Sequence, residues 1–360
     1  MEAARIGVVN VPLFGEFRDP SELVRSSGAE LIKLSIDPRE EPEEAAGKLA
    51  DLDVVIAGST PIYDRRLFAR LPKLKAVIRW GVGYDNVVLE DATREGVIAS
   101  RLPAYVLRDS VAEHTIALIL SLLRRIPAAD SYVREGRWEE GDVEGLRELV
   151  GERIEEKIVG IIGLGNIGLK VLELLKPLKP RRIIVYDPYV SGEVVRALGA
   201  DRAGSLEELL ALSDIITIHA PLTPETRRML DRRAFEKMKP GAYLVNTARG
   251  GIIDPDALLW ALENGILKAA ALDVFDPEPI PANHPILRRG NVILTPHIGS
   301  GTISSYKQMD EYSIHEALRI LRGEKPLWIL NPEALESPNL RARIRLWERA
   351  RGDSNPGPPA

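Results

Sequence analysis

The chain has 360 residues, of which 45% are hydrophobic and 28% are charged, and this length and composition suit two globular domains of ordinary size. Its formal net charge of −5 gives no reason to expect a nucleic acid or an anionic membrane as a partner. Because the chain contains no cysteine, disulfides, thiolate metal sites and thiol catalysis are excluded.

The N-terminal residues run directly into a strand-like stretch and show no signal-peptide pattern. The most apolar predicted helix, residues 111–123, carries Glu113 and His114 and is too short to span a bilayer. No cluster of His, Asp or Glu has zinc-ligand spacing, so we expect no metal. These features predict a cytoplasmic protein. A single glutamine, Gln308, beside many Arg, Glu and Pro residues also favours a thermophilic source.

Short apolar runs alternate with helical stretches through the first part of the chain. This alternation predicts a parallel sheet that is covered by helices on both faces. A long helix is predicted from about residue 109 to 125, with a broad apolar face that suits a buried connecting helix. The predicted strands before it are residues 6–9, 31–34, 54–57 and 76–79, and the predicted helices are residues 20–27, 43–49 and 64–70.

A second series of strands and helices follows and predicts a second doubly wound sheet. The fold class is therefore α/β with two parallel-sheet domains. A final helix is predicted over residues 303–322, and the tail over residues 331–360 is predicted to fray because it is rich in Arg, Glu, Pro and Gly. The strands of this second series start at Ile158 and continue through residues 183–186, 215–219, 242–246, 269–273 and 292–295.

A glycine motif directly follows the apolar run that starts at Ile158. Gly163 permits a tight turn out of the strand, Gly165 lets the backbone approach a pyrophosphate, and Gly168 lets the next helix pack closely on the sheet. The first N–H groups of that helix face the phosphates. The motif reads Gly163-Leu164-Gly165-Asn166-Ile167-Gly168.

Asp187 closes the next apolar run after the glycine motif. A carboxylate at this position can accept both hydroxyls of an adenosine ribose, whereas a 2′-phosphate there would meet like charge. A strand, glycines, a helix, a second strand and an acid at this spacing therefore predict binding of NAD in preference to NADP.

Three segments at the predicted carboxyl ends of later strands hold polar residues, and active sites of open α/β sheets lie at those ends. The segments are residues 245–251, 271–279 and 294–300. A histidine can accept a hydroxyl proton as a hydride leaves, and a glutamate bonded to the ring orients it. The forked guanidinium of Arg249 can bind a substrate carboxylate.

Several ordered stretches make the chain resemble the D-isomer-specific 2-hydroxyacid dehydrogenase family over roughly residues 5 to 332. This resemblance implies a Rossmann NAD-binding domain inserted into a flavodoxin-like substrate domain. The matching stretches are residues 79–86, 111–115, the glycine motif with Asp187, and residues 246–251, 272–274, 278–279 and 296–299.

The family's catalytic trio corresponds by resemblance to Arg249, Glu278 and His297. His297 would be the acid/base, Glu278 its partner and Arg249 the substrate anchor. The resemblance further implies that the Val82-Gly83 backbone holds the substrate carboxylate. Arg79 matches an arginine that phosphoglycerate dehydrogenases share, and is counted with the substrate-binding residues.

The resemblance also extends the set of residues that would contact NAD. Asp273 resembles the residue that contacts the nicotinamide carboxamide, and the loops that line the cofactor would hold the remaining contacts. The cofactor-binding prediction therefore comprises Gly163, Gly165, Asn166, Ile167, Gly168, Asp187, Ala220, Thr247, Ala248, Asp273 and Gly299.

The domain boundaries that follow from the resemblance are residues 1–108 with 300–332 for the substrate domain and residues 109–299 for the NAD-binding domain. Residues 333–360 would form a flexible tail. Partners implied by the family are a small 2-hydroxy or 2-keto acid and a second copy of the chain, with dimerisation through residues 109–151.

The sequence does not determine which 2-hydroxy acid is the substrate. Formate dehydrogenases carry Gln where Glu278 stands, which disfavours that activity. Phosphoglycerate dehydrogenases often place an Arg before Ser-x-Thr, whereas this chain has Gly58-Ser59-Thr60, although Arg79 matches them. At this length we also expect no appended regulatory domain. 3-Phosphoglycerate, glyoxylate, hydroxypyruvate and related 2-keto acids all remain candidates.

A second class of function also stays open, that of a non-catalytic NAD(H)-sensing protein of the corepressor type. Such proteins resemble this chain in the segment from Arg79 to Asn86 and around Asp187. Among the other histidines, His114 and His315 are interpreted as packing or solvent-facing residues. For His219, a structural hydrogen bond and a cofactor contact are equally favoured.

Overall fold

The structure, a computed structural model, describes residues 3–344, and residues 1–2 and 345–360 lie outside this range. The chain divides into two compact units. We call residues 3–107 and 302–344 the split unit, and Arg108–Gly301 the inserted unit. No helix in the described range is long and apolar enough to cross a membrane.

The strands in chain order are β1 (Ala4–Val9), β2 (Ala29–Leu34), β3 (Val54–Ala57), β4 (Ala76–Arg79), β5 (Ile98–Ser100), β6 (Ile158–Ile162), β7 (Arg182–Tyr186), β8 (Asp201–Arg202), β9 (Ile215–Ile218), β10 (Ala242–Asn246), β11 (Leu267–Leu272) and β12 (Val292–Leu294). The α-helices in chain order are α1 (Ser21–Ser26), α2 (Pro42–Leu49), α3 (Arg65–Phe68), α4 (Leu89–Arg94), α5 (Tyr105–Leu123), α6 (Ile126–Arg134), α7 (Val143–Glu148), α8 (Asn166–Leu175), α9 (Gly192–Ala197), α10 (Leu206–Leu212), α11 (Arg232–Glu236), α12 (Pro255–Glu263) and α13 (Ile303–Leu321). Short 3-10 helices occupy Ile154–Glu156, Lys176–Leu178, Gly250–Ile252, Pro285–Arg288 and Pro332–Glu336.

The split unit is built on a five-stranded parallel sheet in the order β2-β1-β3-β4-β5. This is the flavodoxin-like strand order. Successive strand residues point to opposite faces, so Val55 and Val77 enter one core while Val54 and Ala76 enter the other. Helix α13 packs on the second of these faces through Ile314 and its neighbours.

The inserted unit is built on a seven-stranded parallel sheet in the order β12-β11-β10-β9-β6-β7-β8. Counted from β6, this is the Rossmann order, and the direction of winding reverses between β6 and β9. Ile161 and Val185 enter the core on one face of the sheet, and Ile162 and Ile184 enter the core on the other. The predicted fold class of two doubly wound parallel sheets is confirmed.

Helix α5 differs from its predicted bounds. It begins at Tyr105 rather than near residue 109, and it ends at Leu123 rather than at Arg125. Arg125 adopts a left-handed backbone with φ of 52°, which ends the helical run and starts α6. The apolar side chains of Leu118, Ile119 and Leu122 pack in a core of the inserted unit, as a connecting helix with a broad apolar face requires.

The prediction of a flexible tail from residue 333 is wrong for residues 333–344. Ala334, Leu335 and Ala342 are buried, and Leu335 and Ala342 pack in the same core as α13. The Arg341 guanidinium donates to the carbonyl oxygens of Phe68 and Leu71. Residues 333–344 are held by these apolar contacts and by the hydrogen bonds of Arg341. The polar composition of the segment did not indicate such packing. The rest of the predicted tail, residues 345–360, lies outside the described residues.

Candidate active site

The predicted site residues of the inserted unit lie in segments that follow the carboxyl ends of its strands. Gly163 follows β6, Asp187 follows β7, and Ala220 lies just after β9. Arg249 lies beyond β10, Asp273 directly follows β11, and the segment after β12 holds His297. Because all the strands are parallel, these segments share one edge of the sheet, where ligands of open α/β sheets bind.

The glycine motif forms a tight turn between β6 and α8. Gly163 has φ of +88°, and a Cβ there would lie 2.9 Å from the backbone nitrogen of Ala220. A Cβ on Gly168 would lie 2.1 Å from the carbonyl oxygen of Gly163, so this glycine is needed for the close approach of helix and turn. At Gly165 a Cβ would meet no atom within 4 Å, which leaves space for a ligand beside the turn.

Asp187 is bonded to the glycine turn. Its Oδ2 accepts a hydrogen bond of 2.8 Å from the N–H of Leu164, and its Oδ1 accepts one of 2.9 Å from the N–H of Tyr189. Each carboxylate oxygen keeps acceptor capacity for a ribose hydroxyl. The first N–H groups of α8, on Asn166 and Ile167, have no acceptor within the helix and can donate to a phosphate. The residues present therefore fit a dinucleotide.

His297 and Glu278 form a hydrogen-bonded pair in the inserted unit. The Nδ1 of His297 lies 2.7 Å from the Oε2 of Glu278, and Glu278 is itself fixed by a bond of 2.8 Å from the N–H of Phe275 to its Oε1. The imidazole is 45% exposed, and Nε2 is the ring nitrogen that is not bonded to Glu278. This arrangement provides an oriented proton acceptor and donor.

Asp273 anchors the backbone around His297. Its buried carboxylate accepts hydrogen bonds from the N–H of Ile298 at 2.9 Å, the N–H of Gly299 at 2.8 Å and the hydroxyl of Thr295 at 2.6 Å. Burial acts to raise the pKa of Asp273, but the hydrogen bonds, which include one from His114, outweigh it, and the pKa is lowered. The carboxylate is therefore held in its charged form.

His114 and Thr295, which contact each other beside Asp273, were not predicted as site residues. The Nε2 of His114, on α5, lies 3.2 Å from the Oγ1 of Thr295 and 3.5 Å from the Oδ1 of Asp273. Of the two interpretations of His114, the structure favours packing over a solvent-facing role, because the ring is mostly buried and bonded to the segment that carries His297. The sequence signal was a histidine beside Glu113 in the most apolar predicted helix.

Asn246 organises the segment that contains Arg249. Its Oδ1 accepts a bond from the N–H of Ala248, and its Nδ2 donates to the carbonyl oxygen of Arg249. Thr247 is buried, and its hydroxyl lies 2.9 Å from that of Thr115 on α5. One donor of the half-buried Arg249 guanidinium is bonded to the carbonyl of Ala248 at 2.7 Å. These bonds fix the backbone on which Arg249 stands.

His219 has a structural bond, one of the two roles that the sequence left open. Its Nε2 lies 2.9 Å from the hydroxyl of Thr217 on the same strand end. Burial lowers the pKa of His219 to about 3, so the imidazole is neutral at physiological pH. A neutral imidazole at this position suits a structural hydrogen bond.

The predicted substrate-binding residues Arg79, Val82 and Gly83 lie in the split unit, at the carboxyl end of β4. The Arg79 side chain is 8% exposed and donates to the carbonyl oxygens of Gly83, Ala57 and Gly58. These bonds tie the loop after β4 to the end of β3. They give Arg79 a structural role, and its direct contact with substrate remains a prediction.

A sheet of Rossmann order with this glycine turn is suited to binding a dinucleotide, and an oriented histidine at the same edge is chemically suited to the proton transfer that oxidation of an alcohol requires. The fold and site thus define a dinucleotide-dependent dehydrogenase. Comparison with known proteins specifies the class: the model of the D-isomer specific 2-hydroxyacid dehydrogenase NAD-binding domain matches residues 116–299. The chain belongs to the D-isomer-specific 2-hydroxyacid dehydrogenase family, and its cofactor is NAD.

Relatives and solved structures agree with this assignment. The chain is 37% identical to a glyoxylate reductase of Thermofilum pendens over 82% of this chain and 86% of that protein. It is 40% identical to a D-3-phosphoglycerate dehydrogenase of Methanocaldococcus jannaschii over 78% of this chain, but this match spans only 52% of that protein. A Staphylococcus aureus NAD-dependent formate dehydrogenase, solved with NAD, is 31% identical with a TM-score of 0.75 and covers 88% of this chain and 96% of its own. These relatives are enzymes, and they support the catalytic function over the corepressor alternative.

Proposed function

We propose that this protein interconverts a D-2-hydroxy acid and its 2-keto acid with NAD, using Arg249, Glu278 and His297 as its catalytic residues. The observation that carries the proposal is the pairing of His297 with Glu278 at 2.7 Å in the unit that carries the dinucleotide motif. A histidine held by a carboxylate is suited to proton transfer coupled to hydride transfer. Bound NAD supplies the hydride acceptor or donor.

Each member of the trio has a defined task in this proposal. The Nε2 of His297 removes the proton of the substrate hydroxyl during oxidation and returns a proton to the carbonyl oxygen during reduction. Glu278 orients the ring through Nδ1 and stabilises the imidazolium form. Arg249 binds the substrate carboxylate and polarises the reacting carbonyl through its forked N–H donors.

We further propose that the loop after β4 binds the substrate carboxylate through the backbone N–H groups of Val82 and Gly83. Within residues 3–344, neither N–H donates a hydrogen bond. Consecutive free N–H groups in a loop provide a binding site for an anion. We propose that the substrate is 3-phosphoglycerate, glyoxylate, hydroxypyruvate or a related keto acid. The similarity to a glyoxylate reductase and to a D-3-phosphoglycerate dehydrogenase supports this set.

The stereochemistry of oxidation tests the proposed reaction. Purified protein is incubated with NAD and either enantiomer of lactate, glycerate or 3-phosphoglycerate, and NADH formation is followed. We expect oxidation of at least one D-acid, with the matching L-acid oxidised at least about 100-fold more slowly. The bound L-enantiomer would place the hydrogen on its C2 away from NAD, the hydride acceptor. Equal oxidation of both enantiomers, or oxidation of the L-acid only, contradicts it.

Replacing Asp187 with alanine should weaken NADH binding and relax the preference over NADPH. The substitution removes the ribose acceptor, the like charge that disfavours a 2′-phosphate, and the bond to the Leu164 N–H. We expect an increase in the Kd for NADH of about 10-fold to 100-fold, measured by quenching of protein fluorescence, with a smaller change for NADPH.

Asp201→Ala is a matched control for this experiment. Asp201 lies on β8 of the same sheet, and its ion pair with Arg182 is solvent-exposed. Its removal should leave both dissociation constants unchanged. If Asp187→Ala kept the wild-type ratio of NADH to NADPH affinity, Asp187 would not be the ribose acceptor.

We propose that the protein forms a homodimer through the region of residues 109–151, and within it through residues 126–150. Exposed apolar side chains concentrate in this segment around α6 and α7, and a concentration of exposed apolar side chains favours an interaction site. Light scattering should give a mass of about twice that of the chain, and Trp138→Glu should reduce it. A monomer mass at micromolar concentration would contradict the proposal. The more than half-exposed side chains are Ile126, Val133, Trp138, Val143 and Val150.

A cytoplasmic location and a thermophilic source remain proposals that rest on composition. The supporting features are the absence of cysteine and the single glutamine beside abundant Arg and Glu. Cell fractionation and a thermal melt of the purified protein would test them.

A further inference from the structure

In the loop after β4, three consecutive backbone carbonyl groups accept hydrogen bonds. They belong to Gly81, Val82 and Gly83. The carbonyl of Gly81 accepts from the N–H of Leu102 at 3.0 Å. The carbonyl of Val82 accepts from the Nη1 of Arg101 at 3.3 Å, and the carbonyl of Gly83 accepts from the Nε of Arg79 at 2.9 Å. Two of the three carbonyls are therefore held by a guanidinium.

The bonded carbonyls and the N–H groups of Val82 and Gly83 belong to the same peptide units. The carbonyl of Gly81 shares its peptide with the N–H of Val82, and the carbonyl of Val82 shares its peptide with the N–H of Gly83. A donor on the carbonyl polarises the peptide and strengthens the N–H as a donor. The loop is thus preorganised for an anion, and Arg101 directly supports one of its two N–H groups.

Arg101 and Arg79 differ in the hydrogen bonds that their guanidinium groups donate. Arg79 is buried, and its donors are bonded to three backbone carbonyls. Arg101 is half-buried, with its side chain bonded to the Val82 carbonyl and its Cζ 5.6 Å from the centre of the Tyr84 ring. In the part of the chain that the structure describes, no Asp or Glu forms an ion pair with Arg101. Its positive charge and most of its five donors are available beside the loop.

The backbone fixes Arg101 at this position. It follows β5, which pairs in parallel with β4, so both carboxyl ends lie at the same edge of the sheet. The N–H of Arg101 donates to the carbonyl of Trp328, and the hydroxyl of Ser100 is bonded to the buried Glu316. A cation on an anchored backbone can discriminate between ligands with little loss of conformational entropy.

We propose that Arg101 is a specificity-determining residue that favours 2-keto acids with a second anionic group over glyoxylate. This inference rests on the proposed function, because it assumes that the Val82 and Gly83 N–H groups hold the substrate carboxylate. The second anion is a phosphate or a carboxylate at the far end of the substrate. The guanidinium binds it through charge-assisted hydrogen bonds.

The experiment compares kcat/KM for NADH-dependent reduction of four keto acids by the wild type and three variants. The acids are glyoxylate, hydroxypyruvate, phosphohydroxypyruvate and oxaloacetate, so the last two distinguish a phosphate from a carboxylate. Arg101→Met removes the charge and the bond to Val82. Arg101→Gln keeps a donor for the Val82 carbonyl without the charge, and Arg101→Lys keeps the charge without the fork.

The proposal predicts that the wild type prefers phosphohydroxypyruvate or oxaloacetate over glyoxylate. In Arg101→Met and Arg101→Gln this preference should fall by about 10-fold to 100-fold, because a charge-assisted hydrogen bond is lost for one class of substrate only. Arg101→Lys should retain part of the preference. If all four acids lose activity by the same factor in Arg101→Met and Arg101→Gln restores it, Arg101 only holds the loop and the proposal is overturned.

A binding measurement keeps this test separate from the proposed function. Calorimetry on the protein with NAD compares 3-phosphoglycerate with D-glycerate, and it needs no turnover. Tighter binding of 3-phosphoglycerate by the wild type, lost in Arg101→Met, supports the role of Arg101 even if no keto acid is reduced. If the wild type prefers glyoxylate in turnover and binds the two acids equally, the role of Arg101 fails while the dehydrogenase activity stands.

Discussion

Replacing His297 with alanine is expected to lower kcat by about 10²–10⁴ while leaving the Kd for NADH close to that of the wild type. The imidazole supplies the proton transfer, whereas the glycine turn and Asp187 supply the dinucleotide contacts elsewhere along the sheet edge. Steady-state turnover and fluorescence titration with NADH measure the two quantities separately.

His315→Ala is the control for this substitution. His315 lies on α13, is about half exposed, and is 3.9 Å from Glu311 in a solvent-exposed pair, so its loss should change neither quantity. Near-normal turnover of His297→Ala would remove His297 from the mechanism. A parallel loss of NADH binding would instead indicate that the substitution disrupts the segment after β12.

Asp273→Ala is expected to lower the free energy of unfolding by about 2–5 kcal/mol and to reduce turnover strongly. The substitution leaves the buried N–H of Gly299, and the part-buried N–H of Ile298 and hydroxyl of Thr295, without their acceptor. Each unsatisfied buried donor costs about 1–3 kcal/mol. Turnover should fall with it, because Ile298 and Gly299, whose N–H groups lose this acceptor, directly follow His297 in the chain. Urea unfolding and NADH oxidation are the measurements.

Asp273→Asn keeps the side-chain volume and provides the second variant in case Asp273→Ala does not fold. The pKa of Asp273 is lowered in the folded protein, so its charged form contributes stability above the unfolded-state pKa near 3.8 and loses it as pH falls through the folded pKa. Unfolding of Asp273→Asn should therefore depend less on pH in acid than that of the wild type. Identical acid dependence and wild-type turnover would contradict the anchoring role of Asp273.

The buried strands were predictable because parallel strands covered on both faces appear as short continuous apolar runs. The run over residues 54–57 is β3, and the run over residues 242–246 is β10. The three-residue strand β5 was not predicted, since Ile-Ala-Ser has no distinctive pattern. Tertiary bonds define it, through pairing with β4 and a bond of 2.8 Å from the N–H of Ala99 to Asn331.

The candidate site was only partly predictable. The glycine turn and Asp187 follow from local spacing, because each contributes to the site through its own backbone position after a strand. The role of His114 could not be predicted, since its partner Thr295 is 181 residues away in the chain. The same limit applies to Arg101, whose significance depends on the Val82 carbonyl and on the absence of an acidic partner among residues 3–344.

The most direct test of the central claim is NADH oxidation by the purified wild-type protein with glyoxylate, hydroxypyruvate, pyruvate and phosphohydroxypyruvate, each repeated with NADPH. We expect turnover of at least one of these keto acids with NADH, and a lower kcat/KM with NADPH. Tight NADH binding without turnover of any of them would contradict the assignment of His297, Glu278 and Arg249 to the reduction of a 2-keto acid.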